Sequence, residues 1–567
     1  MKLIDLLNNS LFDSIKNAYS LEKEDFQKLD LGFVASTSED HGDYSSSASL
    51  KLAKKLDSSP RDIAKKISDG LLSELIEEIS VDGPGFINIY LTRSAKVNEL
   101  KNAIELKEQW AFKKNNRKKA LVEFVSSNPT GPLHVGHGRG AVLGIAISNL
   151  LQSQGYQVDK EYYVNDAGRQ INILALSIIL ETINHSFNKD GLYQGGYIND
   201  LAKKFTKKTN LKEVAQPEMS LSDDADQKLD ELIAFYQSES PKIWNELRTF
   251  AINEMIDIIK ADLKNMGIIH DKWFYESSVG DFNDESSVLF QAVKGITKKK
   301  LTFKKDGALW FKSTDFGDDK DRVLLRENGE PTYYLTDVGY HKDKIDRKYE
   351  HYINIFGADH HGYVKRITSA FDTLKNDYQS LEIVLYQLVN LFENGKKKQM
   401  STRKGDFFSL EELREEIGSD VIKFFFLEKK SDHTIDFDVL KAKEESKTNP
   451  YFYTQYAHVR CCSILQNKAP DFKCMYDEKE ITKNFDLLNK IINYPKHLED
   501  FANERSPHSL VHFLKELAAD FHSFYETNPV LVENNTVANS RLIITKATQI
   551  VLQNGLELLS VKPLSKM

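Results

Sequence analysis

The apolar residues of the first 110 positions follow two different spacings. Across residues 50–75 they recur every three or four positions, as on one face of a helix. The stretch PGFINIYL (84–91) alternates instead and is rich in β-branched residues, which is typical of a strand. The charged run FKKNNRKK (112–119) has no apolar periodicity and is typical of a linker. We therefore predict an N-terminal α+β domain over residues 1–110.

A new pattern begins with KALVEFV (119–125). This run is short and almost continuously apolar, as in a strand of a parallel sheet that is covered on both faces. A glycine-rich loop follows, then a predicted helix over 141–156 with Gly155 as its C-cap, then the strand KEYYV (160–164). Strand, loop, helix and strand form a βαβ unit, whose crossover is expected to be right-handed.

Two further buried strands are predicted much later, at HYINIFG (351–357) and LEIVLYQLV (381–389). A long insertion therefore separates the two halves of the nucleotide-binding fold. It holds predicted helices at 170–270 and a hairpin at KKDGALWF (304–311), whose Asp-Gly pair favours a tight turn.

From about residue 407 to the end the apolar spacing is helical, which predicts a terminal α-helical bundle. Its amphipathic stretches are 419–430, 438–467, 508–526 and 538–560. The predicted fold class is therefore α/β, with a Rossmann-type nucleotide-binding catalytic domain and its insertions over 118–440. The α+β domain precedes it, and the helical domain occupies 441–567.

The composition narrows the class of protein. With 41% hydrophobic and 28% charged residues, the 567-residue chain is globular, and we predict no membrane-spanning run and no secretory signal. Three cysteines exclude a disulfide framework or a cysteine-based zinc site and favour a reducing cytoplasm. A net charge of −8 excludes a wholly basic nucleic-acid coat but allows local basic faces.

The stretch SSNPTGPLHVGHGRG (126–140) carries the candidate chemistry. It lies where a strand leads into a helix, so free backbone N–H groups and the helix dipole favour an anion there. Gly136 and Gly138 have no Cβ, so a base or a phosphate can approach the backbone closely. His134 and His137 add donors that can follow charge as it develops on phosphorus.

The spacing of this HxGH sequence differs from two other kinds of site. It is neither the GxxxxGK[ST] of a P-loop nor the HExxH of a zinc site, and no metal site is predicted. The alternative interpretation is a pair of incidental loop histidines. The position directly after a buried strand favours the nucleotide site.

Longer matches show a family resemblance. VEFVSSNPTGPLHVGHGRGAVLG (122–144) resembles the first ATP-binding motif of class I aminoacyl-tRNA synthetases and, with EYYVNDAGRQI (161–171), the arginyl-tRNA synthetase family. QMSTRKGDFFSL (399–410) is similar to the family's second motif, a flexible loop with a lysine. Further matches run in family order from HGDYSSSASL (41–50) to the C-terminal VKPLSKM: DGALWF (306–311), FGDDKDRVL (316–324), YLTDVGYHKDK (334–344), GADHHGYVKR (357–366) and NPYFYTQYAHVR (449–460).

The resemblance implies a two-step ligase. Arginine would attack the α-phosphorus of ATP to give arginyl-adenylate and pyrophosphate, and a terminal ribose hydroxyl of tRNA(Arg) would then take the arginyl group and release AMP. Family members usually need tRNA for the first step as well. The resemblance also implies Mg²⁺ that accompanies ATP, no structural metal, no membrane association and a monomer.

The second loop departs from the family pattern Lys-Met-Ser-Lys-Ser, because neither lysine is in its usual place. The lysine that some relatives carry before the first motif is replaced by Gly131. We predict Lys404 as the catalytic cation, with Lys398 and Arg403 as alternatives. Met400, Ser401 and Arg403 would contact ATP. A solvated charge run is the other interpretation of this stretch.

The resemblance assigns the remaining site residues. His134, Gly136 and His137 are the predicted catalytic residues beside Lys404. The predicted ATP-binding residues are Pro129, Thr130, Gly131, Gly138, His360 and His361. The predicted arginine-binding residues are Ser127, Asn128, Glu276, Tyr333, Asp337 and Asp359, because a guanidinium prefers paired carboxylates and other acceptors. Carboxylates at a surface are the alternative for Glu276 and Asp337.

Three assignments stay open between alternatives. Asp166 could orient the substrate amine or a histidine, or it could cap the following helix. Tyr456 and Arg460 are predicted to contact tRNA, although aromatic residues at helical spacing also form cores. The function itself could be that of another class I ligase, an HxGH nucleotidylyltransferase or a non-catalytic tRNA-binding paralogue.

Overall fold

The computed structural model of the chain describes these residues: 2–183, 190–210, 214–217, 222, 224–393, 396–397 and 408–567. They belong to two compact units. One unit combines Met1–Lys114 with Glu445–Met567, and the other is Asn115–Glu444.

The unit that combines the two ends of the chain is called the terminal unit below. Its first segment, Met1–Lys114, forms an antiparallel sheet with helices, as predicted. Its elements are α1 (Leu3–Tyr19), α2 (Lys23–Lys28), β1 (Val34–Ala35), β2 (Tyr44–Ser46), α3 (Ala48–Leu56), α4 (Pro60–Gly70), β3 (Ile76–Asp82), β4 (Phe86–Leu91), α5 (Arg93–Leu106) and α6 (Glu108–Ala111). The strand order is β1-β2-β4-β3. The predicted strand at 84–91 is β4, which confirms the α+β character of this segment.

The other unit alternates strands and helices. Its elements are β5 (Lys119–Glu123), α7 (Val135–Ser153), β6 (Gln157–Val164), α8 (Arg169–Thr182), α9 (Gly196–Thr206), α10 (Ala225–Glu239), α11 (Pro241–Asn265), β7 (Lys272–Tyr275), α12 (Val288–Lys298), β8 (Thr302–Lys305), β9 (Ala308–Phe311), β10 (Arg322–Leu325), α13 (Tyr333–Asp346), β11 (His351–Gly357), α14 (Val364–Leu374), β12 (Ser380–Tyr386), β13 (Val389–Glu393), β14 (Lys396–Lys397), α15 (Leu410–Ile417), α16 (Ser419–Glu428), β15 (Ile435–Asp438) and α17 (Val439–Lys443).

The main sheet of this unit is parallel, with the order β12-β11-β5-β6-β7 in the part of the chain that the structure describes. The chain proceeds outward from β5 to β7 and then returns to the other side of β5 for β11 and β12. Such a reversal leaves a crevice at the carboxyl ends of β5 and β11, where ligands of α/β proteins bind. The parallel α/β sheet agrees with the predicted Rossmann-type fold.

The predicted hairpin at 304–311 is formed by β8 and β9. Asp306 and Gly307 both have positive φ, at 51° and 74°, as a two-residue turn of type I′ requires. The pattern of the sequence was sufficient here because the turn depends on local chemistry alone.

Several element boundaries differ from the prediction. The strand predicted at 381–389 ends at Tyr386, and Val389 begins the separate strand β13. The strand predicted at 160–164 begins earlier, at Gln157. The strand predicted at 119–125 ends at Glu123, because Val125 and Ser126 adopt left-handed backbone conformations with φ of 70° and 41°. The helix predicted at 141–156 begins earlier, at Val135, because the side chain of His134 caps it.

The C-terminal segment is helical, with α18 (Pro450–Asn467), α19 (Glu478–Thr482), α20 (Phe485–Asn503), α21 (Pro507–Thr527) and α22 (Asn535–Leu558). The predicted continuous stretch at 438–467 is wrong. It divides into α17 and α18, because the residue before Pro450 avoids the helical conformation and Asn449 caps α18 instead. The prediction of helix alone from residue 407 is also wrong, since β15 pairs in parallel with β13.

Among the described residues, every helix is too short or too polar to cross a membrane.

Replacing Gly144 with alanine is expected to destabilise this unit. A Cβ there would lie 2.1 Å from the Cγ of Phe124, whose ring is fully buried. Overpacking of this kind typically costs about 2 kcal/mol, which a urea unfolding curve would measure. Gly196→Ala is the control, because a Cβ at Gly196 meets nothing within 4 Å. Equal unfolding midpoints for the two variants would contradict this packing.

Candidate functional site

The chain leaves β5 through a strained turn. Val125 and Ser126 are consecutive non-glycine residues in the left-handed region, which is unfavourable above all for a β-branched side chain. The Ser126 hydroxyl donates to Glu123 Oε1 at 3.0 Å and accepts from the backbone N–H of Tyr163 at 3.1 Å. These two bonds hold the turn and determine where the following residues of the loop begin.

The two histidines of the HxGH sequence form one unit at the start of α7. The backbone N–H of His137 donates to His134 Nδ1 at 3.3 Å, and the backbone N–H of His134 donates to His137 Nδ1 at 3.4 Å. Their rings stack with centroids 3.5 Å apart. Since both Nδ1 atoms accept, the proton of each neutral ring is on Nε2, which remains a donor.

Burial keeps both rings neutral. It lowers the pKa of His134, although the nearby Asp359 carboxylate acts in the opposite direction. Burial, and then the neighbouring His134, lower the pKa of His137 well below its usual value. At neutral pH the pair therefore offers hydrogen-bond donors without a formal charge.

The two glycines of the motif differ in what they accommodate. A Cβ at Gly136 would lie 2.9 Å from Cε1 of His134, so glycine is required for the stacked rings. A Cβ at Gly138 would lie 2.7 Å from Cδ1 of Leu410, and Gly138 is buried. The space at Gly138 is therefore used by α15, which differs from the expectation that a ligand approaches the backbone there.

The predicted second motif lies outside the described residues. This applies to Lys398, Met400, Ser401, Arg403 and Lys404. The chain just after them is described, and Ser409 forms an antiparallel bridge with His134. The backbone N–H of Leu410 donates to the carbonyl of Leu133 at 2.8 Å. The residues that follow the second motif are thus bonded to the first motif.

The segment after β11 reaches the same edge of the sheet. It is a 3₁₀ helix, Ala358–Tyr363, that contains Asp359, His360 and His361, all three exposed. His360 Nε2 lies 3.6 Å from Asp359 Oδ2. The Asp359 carboxylate is close enough to His134 to influence its pKa, so the β5 and β11 sides of the crevice meet here.

Carboxylates gather on the β6 and β7 side of this edge. Glu276 follows β7 and accepts from the Tyr163 hydroxyl at 2.8 Å, and its pKa is raised by burial and by the Asp166 carboxylate. Burial, and then Glu276 and Glu123, raise the pKa of Asp337 to about 7. Like charges held together in this way favour a cationic ligand.

Asp166 does not cap the following helix, so that alternative is wrong. The N-cap of α8 is Gly168, and its backbone N–H donates to Asn165 Oδ1 at 3.2 Å. Asp166 instead accepts from the backbone N–H of Ser277 at 2.9 Å and from its hydroxyl at 2.6 Å. It therefore anchors the short 3₁₀ segment that begins at Glu276.

The residues between β5 and His134 make contacts of their own. Ser127 is buried, and its hydroxyl lies 2.8 Å from that of Tyr162. Asn128 is exposed and donates to Gln170 Oε1 at 2.7 Å. Pro129 and Thr130 are buried, and the Thr130 carbonyl accepts from the Tyr197 hydroxyl at 3.0 Å.

Two other predicted residues lie at the ends of this region. A Cβ at Gly131 would lie 3.4 Å from the Tyr197 hydroxyl, which is ordinary contact. Tyr333 and Asp337 are one turn apart on α13, as predicted, but the Tyr333 side chain is 74% exposed. Both assignments stay predictions.

Tyr456 and Arg460 are paired on α18 in the terminal unit. Arg460 Nη2 donates to the Tyr456 hydroxyl at 2.9 Å, and its guanidinium lies 4.6 Å from the ring centroids of both Tyr456 and Tyr525. Both residues are half-buried, as are Phe452 and Tyr453. The four residues therefore remain partly accessible.

Sequence reasoning missed two contributors to the site. Tyr163 lies inside the quoted YYVND stretch, but nothing local to it indicates a bond to Glu276. The ion pair of Glu123 with Lys344 is buried beneath the carboxylates. The one available signal for this pair was Glu123 within the apolar run ALVEFV (120–125), since α13 carries several other charged residues beside Lys344.

Family models match nearly the whole chain. Residues 5–91 match the arginyl tRNA synthetase N terminal domain, residues 99–448 match the class I (R) tRNA synthetase catalytic domain, and residues 454–567 match the DALR anticodon binding domain. The chain belongs to the arginyl-tRNA synthetase family. This confirms the resemblance that the motifs indicated. It excludes the two alternatives of another class I ligase and of a nucleotidylyltransferase that shares HxGH.

Similar proteins support this membership along the full length. The arginine–tRNA ligase of Nitrosospira multiformis is 40% identical and aligns over 98% of this chain and 98% of its own. That of Nitrosomonas europaea is 40% identical over 92% of each chain. The solved arginyl-tRNA synthetase of Thermus thermophilus has a TM-score of 0.77 at 22% identity, with all of both chains covered, and has the same fold. The predicted fold class is thereby confirmed.

Proposed function

We propose that this protein ligates L-arginine to its cognate tRNA, with ATP as the energy source. Relatives named arginine–tRNA ligase that align over nearly the whole chain support this function. The observation that carries it is one edge of the parallel sheet where neutral imidazole donors lie on one side and clustered carboxylates on the other.

In the first step, a carboxylate oxygen of arginine attacks the α-phosphorus of ATP and pyrophosphate leaves. His134 and His137 donate their Nε2–H groups to the phosphate oxygens as charge develops there, with the positive end of α7 behind them. The pair is fixed by its two reciprocal hydrogen bonds, so little reorganisation is needed during the reaction.

The other groups predicted around the nucleotide keep their assignments within this proposal. The ATP side would be lined by Pro129, Thr130, Gly131, His360 and His361. Gly136 would leave room for the stacked imidazoles. We retain the cation of the second loop, Lys404, as a prediction from the sequence. ATP would arrive as its Mg²⁺ complex.

The carboxylates bind the guanidinium of arginine. Glu276 and Asp337 each gain a cationic partner, which offsets the burial and the neighbouring carboxylates that raise the pKa of both groups. The remaining polar atoms of the amino acid would be contacted by Ser127, Asn128, Tyr333 and Asp359. A planar guanidinium suits two carboxylates better than a compact ammonium does.

In the second step, a ribose hydroxyl at the 3′ end of tRNA attacks the carbonyl of the adenylate, and AMP leaves. The anticodon side of the tRNA would lie on the helical segment 441–567, with further contacts to the segment 1–110. The catalytic segment would be 118–440. A monomeric, cytoplasmic enzyme is part of the same proposal.

Replacing Arg460 with alanine is expected to weaken tRNA binding roughly tenfold, as for loss of one stacked or phosphate-bound contact. The KM values for arginine and ATP should change less than about twofold, since the truncation removes a contact that is proposed for tRNA only. Filter binding at two salt concentrations would measure the effect. Arg460→Lys keeps the charge but loses the planar stack on Tyr456, and an intermediate loss would separate the two contributions. Unchanged tRNA affinity in both variants would remove Arg460 from the interface.

The proposed function is tested by pyrophosphate exchange with each of the twenty amino acids, with and without tRNA. We expect exchange with arginine alone, and only when tRNA is present. Exchange with a different amino acid would refute the assignment of the pocket. No exchange under any condition, with tRNA still bound, would favour a non-catalytic paralogue.

A further inference from the structure

Tyr163 connects the two ends of the proposed amino-acid pocket. It is the penultimate residue of β6, between the turn after β5 and the end of β7. Its backbone N–H donates to the Ser126 hydroxyl at 3.1 Å, and its side-chain hydroxyl donates to Glu276 Oε2 at 2.8 Å. A single residue is thus bonded both to the strained turn that leads to Ser127 and to a carboxylate proposed for the guanidinium.

The ring of Tyr163 is held on two sides. Its centroid lies 6.0 Å from that of Phe274, nearly parallel at 14°, and 4.6 Å from that of Tyr340. The Tyr340 ring is in turn fixed, because its hydroxyl donates to Glu161 at 2.8 Å. Since the ring is packed this way, the Tyr163 hydroxyl presents its hydrogen to Glu276 from a constant position.

We propose that Tyr163 is a positioning residue of the amino-acid pocket, which fixes the Glu276 carboxylate at a set distance from the Ser127 end and so selects the length of the side chain bound. This inference rests on the proposed function. Oε2 of Glu276 accepts from the phenol, and this bond fixes the rotation of the carboxylate. A carboxylate with one fixed orientation meets a guanidinium at one distance from the reacting carboxyl group.

The bond also affects the charge of Glu276. Burial raises the pKa of Glu276, the hydrogen bond from the Tyr163 phenol lowers it, and the Asp166 carboxylate on the loop after β6 raises it. On α13 the Asp337 carboxylate is coupled to Glu276, with Glu123 of β5 and Arg366 of α14 facing Asp337 in turn. Without the phenol the pKa of Glu276 rises, and at a given pH a larger fraction of Glu276 is protonated. As the pH is lowered, KM for arginine should therefore begin to increase at a higher pH in the variant than in the wild type.

The test is Tyr163→Phe, which keeps the ring and removes only the hydroxyl. We expect KM for arginine to rise roughly tenfold, as for loss of a hydrogen bond to a charged group, while KM for ATP and kcat change less than about twofold. Preference for arginine over L-homoarginine, which is one methylene longer, should fall by a similar factor. If Tyr163 contributed only to stability, Tyr163→Phe would lower the melting temperature and leave both KM for arginine and the preference for arginine over L-homoarginine unchanged.

Tyr349→Phe is the matched control. Its hydroxyl also donates to a carboxylate, that of Asp159, but at the amino ends of the strands. The effect of Tyr163→Phe on KM for arginine should also disappear in a Glu276→Gln background, because the two residues act through one bond. Equal KM values and equal preference for arginine in wild type and Tyr163→Phe would overturn this inference alone. Failure of the wild type to exchange pyrophosphate with arginine would instead overturn the proposed function.

Discussion

Replacing His137 with alanine is expected to lower kcat for adenylate formation roughly 10²–10³-fold, as for loss of a preorganised donor to developing charge. KM for arginine should change little, because the proposed role of the imidazole is to donate to the phosphate and not to bind the amino acid. Burial already keeps the ring neutral, so its loss removes a hydrogen-bond donor and not a cation. Single-turnover formation of arginyl-adenylate, at saturating arginine and ATP, measures the effect directly.

His351→Ala is the control for this experiment. His351 begins β11, at the amino edge of the same sheet, and its Nδ1 lies 3.0 Å from the Ser380 hydroxyl. Its replacement should leave adenylate formation unchanged. If His137→Ala and His351→Ala had the same rate as the wild type, the imidazole pair would have no part in the chemistry.

Replacing Asp337 with asparagine is expected to raise KM for arginine roughly 100-fold, as for removal of one partner from a buried charge pair. KM for ATP should stay within about twofold, because a group that binds only one substrate affects only that KM. Asp346→Asn is the control on the same helix, since Asp346 pairs with Lys342 and its side chain is 59% exposed. Steady-state exchange kinetics with each substrate varied in turn give both constants. A parallel rise of both KM values would contradict the assignment of Asp337 to the amino acid.

The pKa of Asp337 also gives this prediction a pH dependence. Burial and neighbouring carboxylates raise that pKa from 3.8 to about 7, so the group ionises only as the pH rises through about 7. In the proposed pocket the guanidinium pairs with the ionised form of Asp337, so KM for arginine in the wild type should fall between pH 6 and pH 8. The Asp337→Asn variant should lack this dependence.

The same shift acts on stability with a definite sign. The folded protein without arginine binds a proton at Asp337 more tightly than the unfolded chain does, so the contribution of this group to stability falls as the pH rises from about 4 to about 7. Replacing Asp337 with asparagine removes this loss of stability, because asparagine does not ionise. At pH 8 the variant without ligand should melt at a higher temperature than the wild type, a trade of stability for function that is common at binding sites.

Local patterns were sufficient for much of the fold. The apolar runs of β5 and β11, the Asp306–Gly307 turn and the helix after the HxGH sequence each depend on residues close in sequence. The early end of β5 could not be predicted, because the left-handed turn after it is held in part by a hydrogen bond to Ser126 from Tyr163, which is distant in the chain. The pairing of β15 with β13 is likewise a contact between distant segments.

The candidate site shows the same division. Parallel strands end at one edge, so Ser127 and Asp359, which follow the predicted strands β5 and β11, were expected to come together. Glu276 follows β7, a strand that the pattern did not predict, and only the family resemblance assigned it to the pocket. The partner of each carboxylate could not be predicted. For Asp166 the sequence allowed a contact with the substrate amine or a histidine, or a helix cap, and the structure shows Ser277, after the neighbouring strand, as its partner. Side-chain pairs of this kind depend on strand order, which the sequence pattern contains only indirectly.

The most direct test is a crystal structure with an arginyl-adenylate analogue whose phosphate is replaced by an uncleavable sulfamoyl group. The account predicts guanidinium nitrogens within about 3.2 Å of both Glu276 and Asp337, and sulfamoyl oxygens within the same distance of an imidazole Nε2 of His134 or His137. A guanidinium bound away from both carboxylates, or a sulfamoyl group away from both histidines, would contradict it.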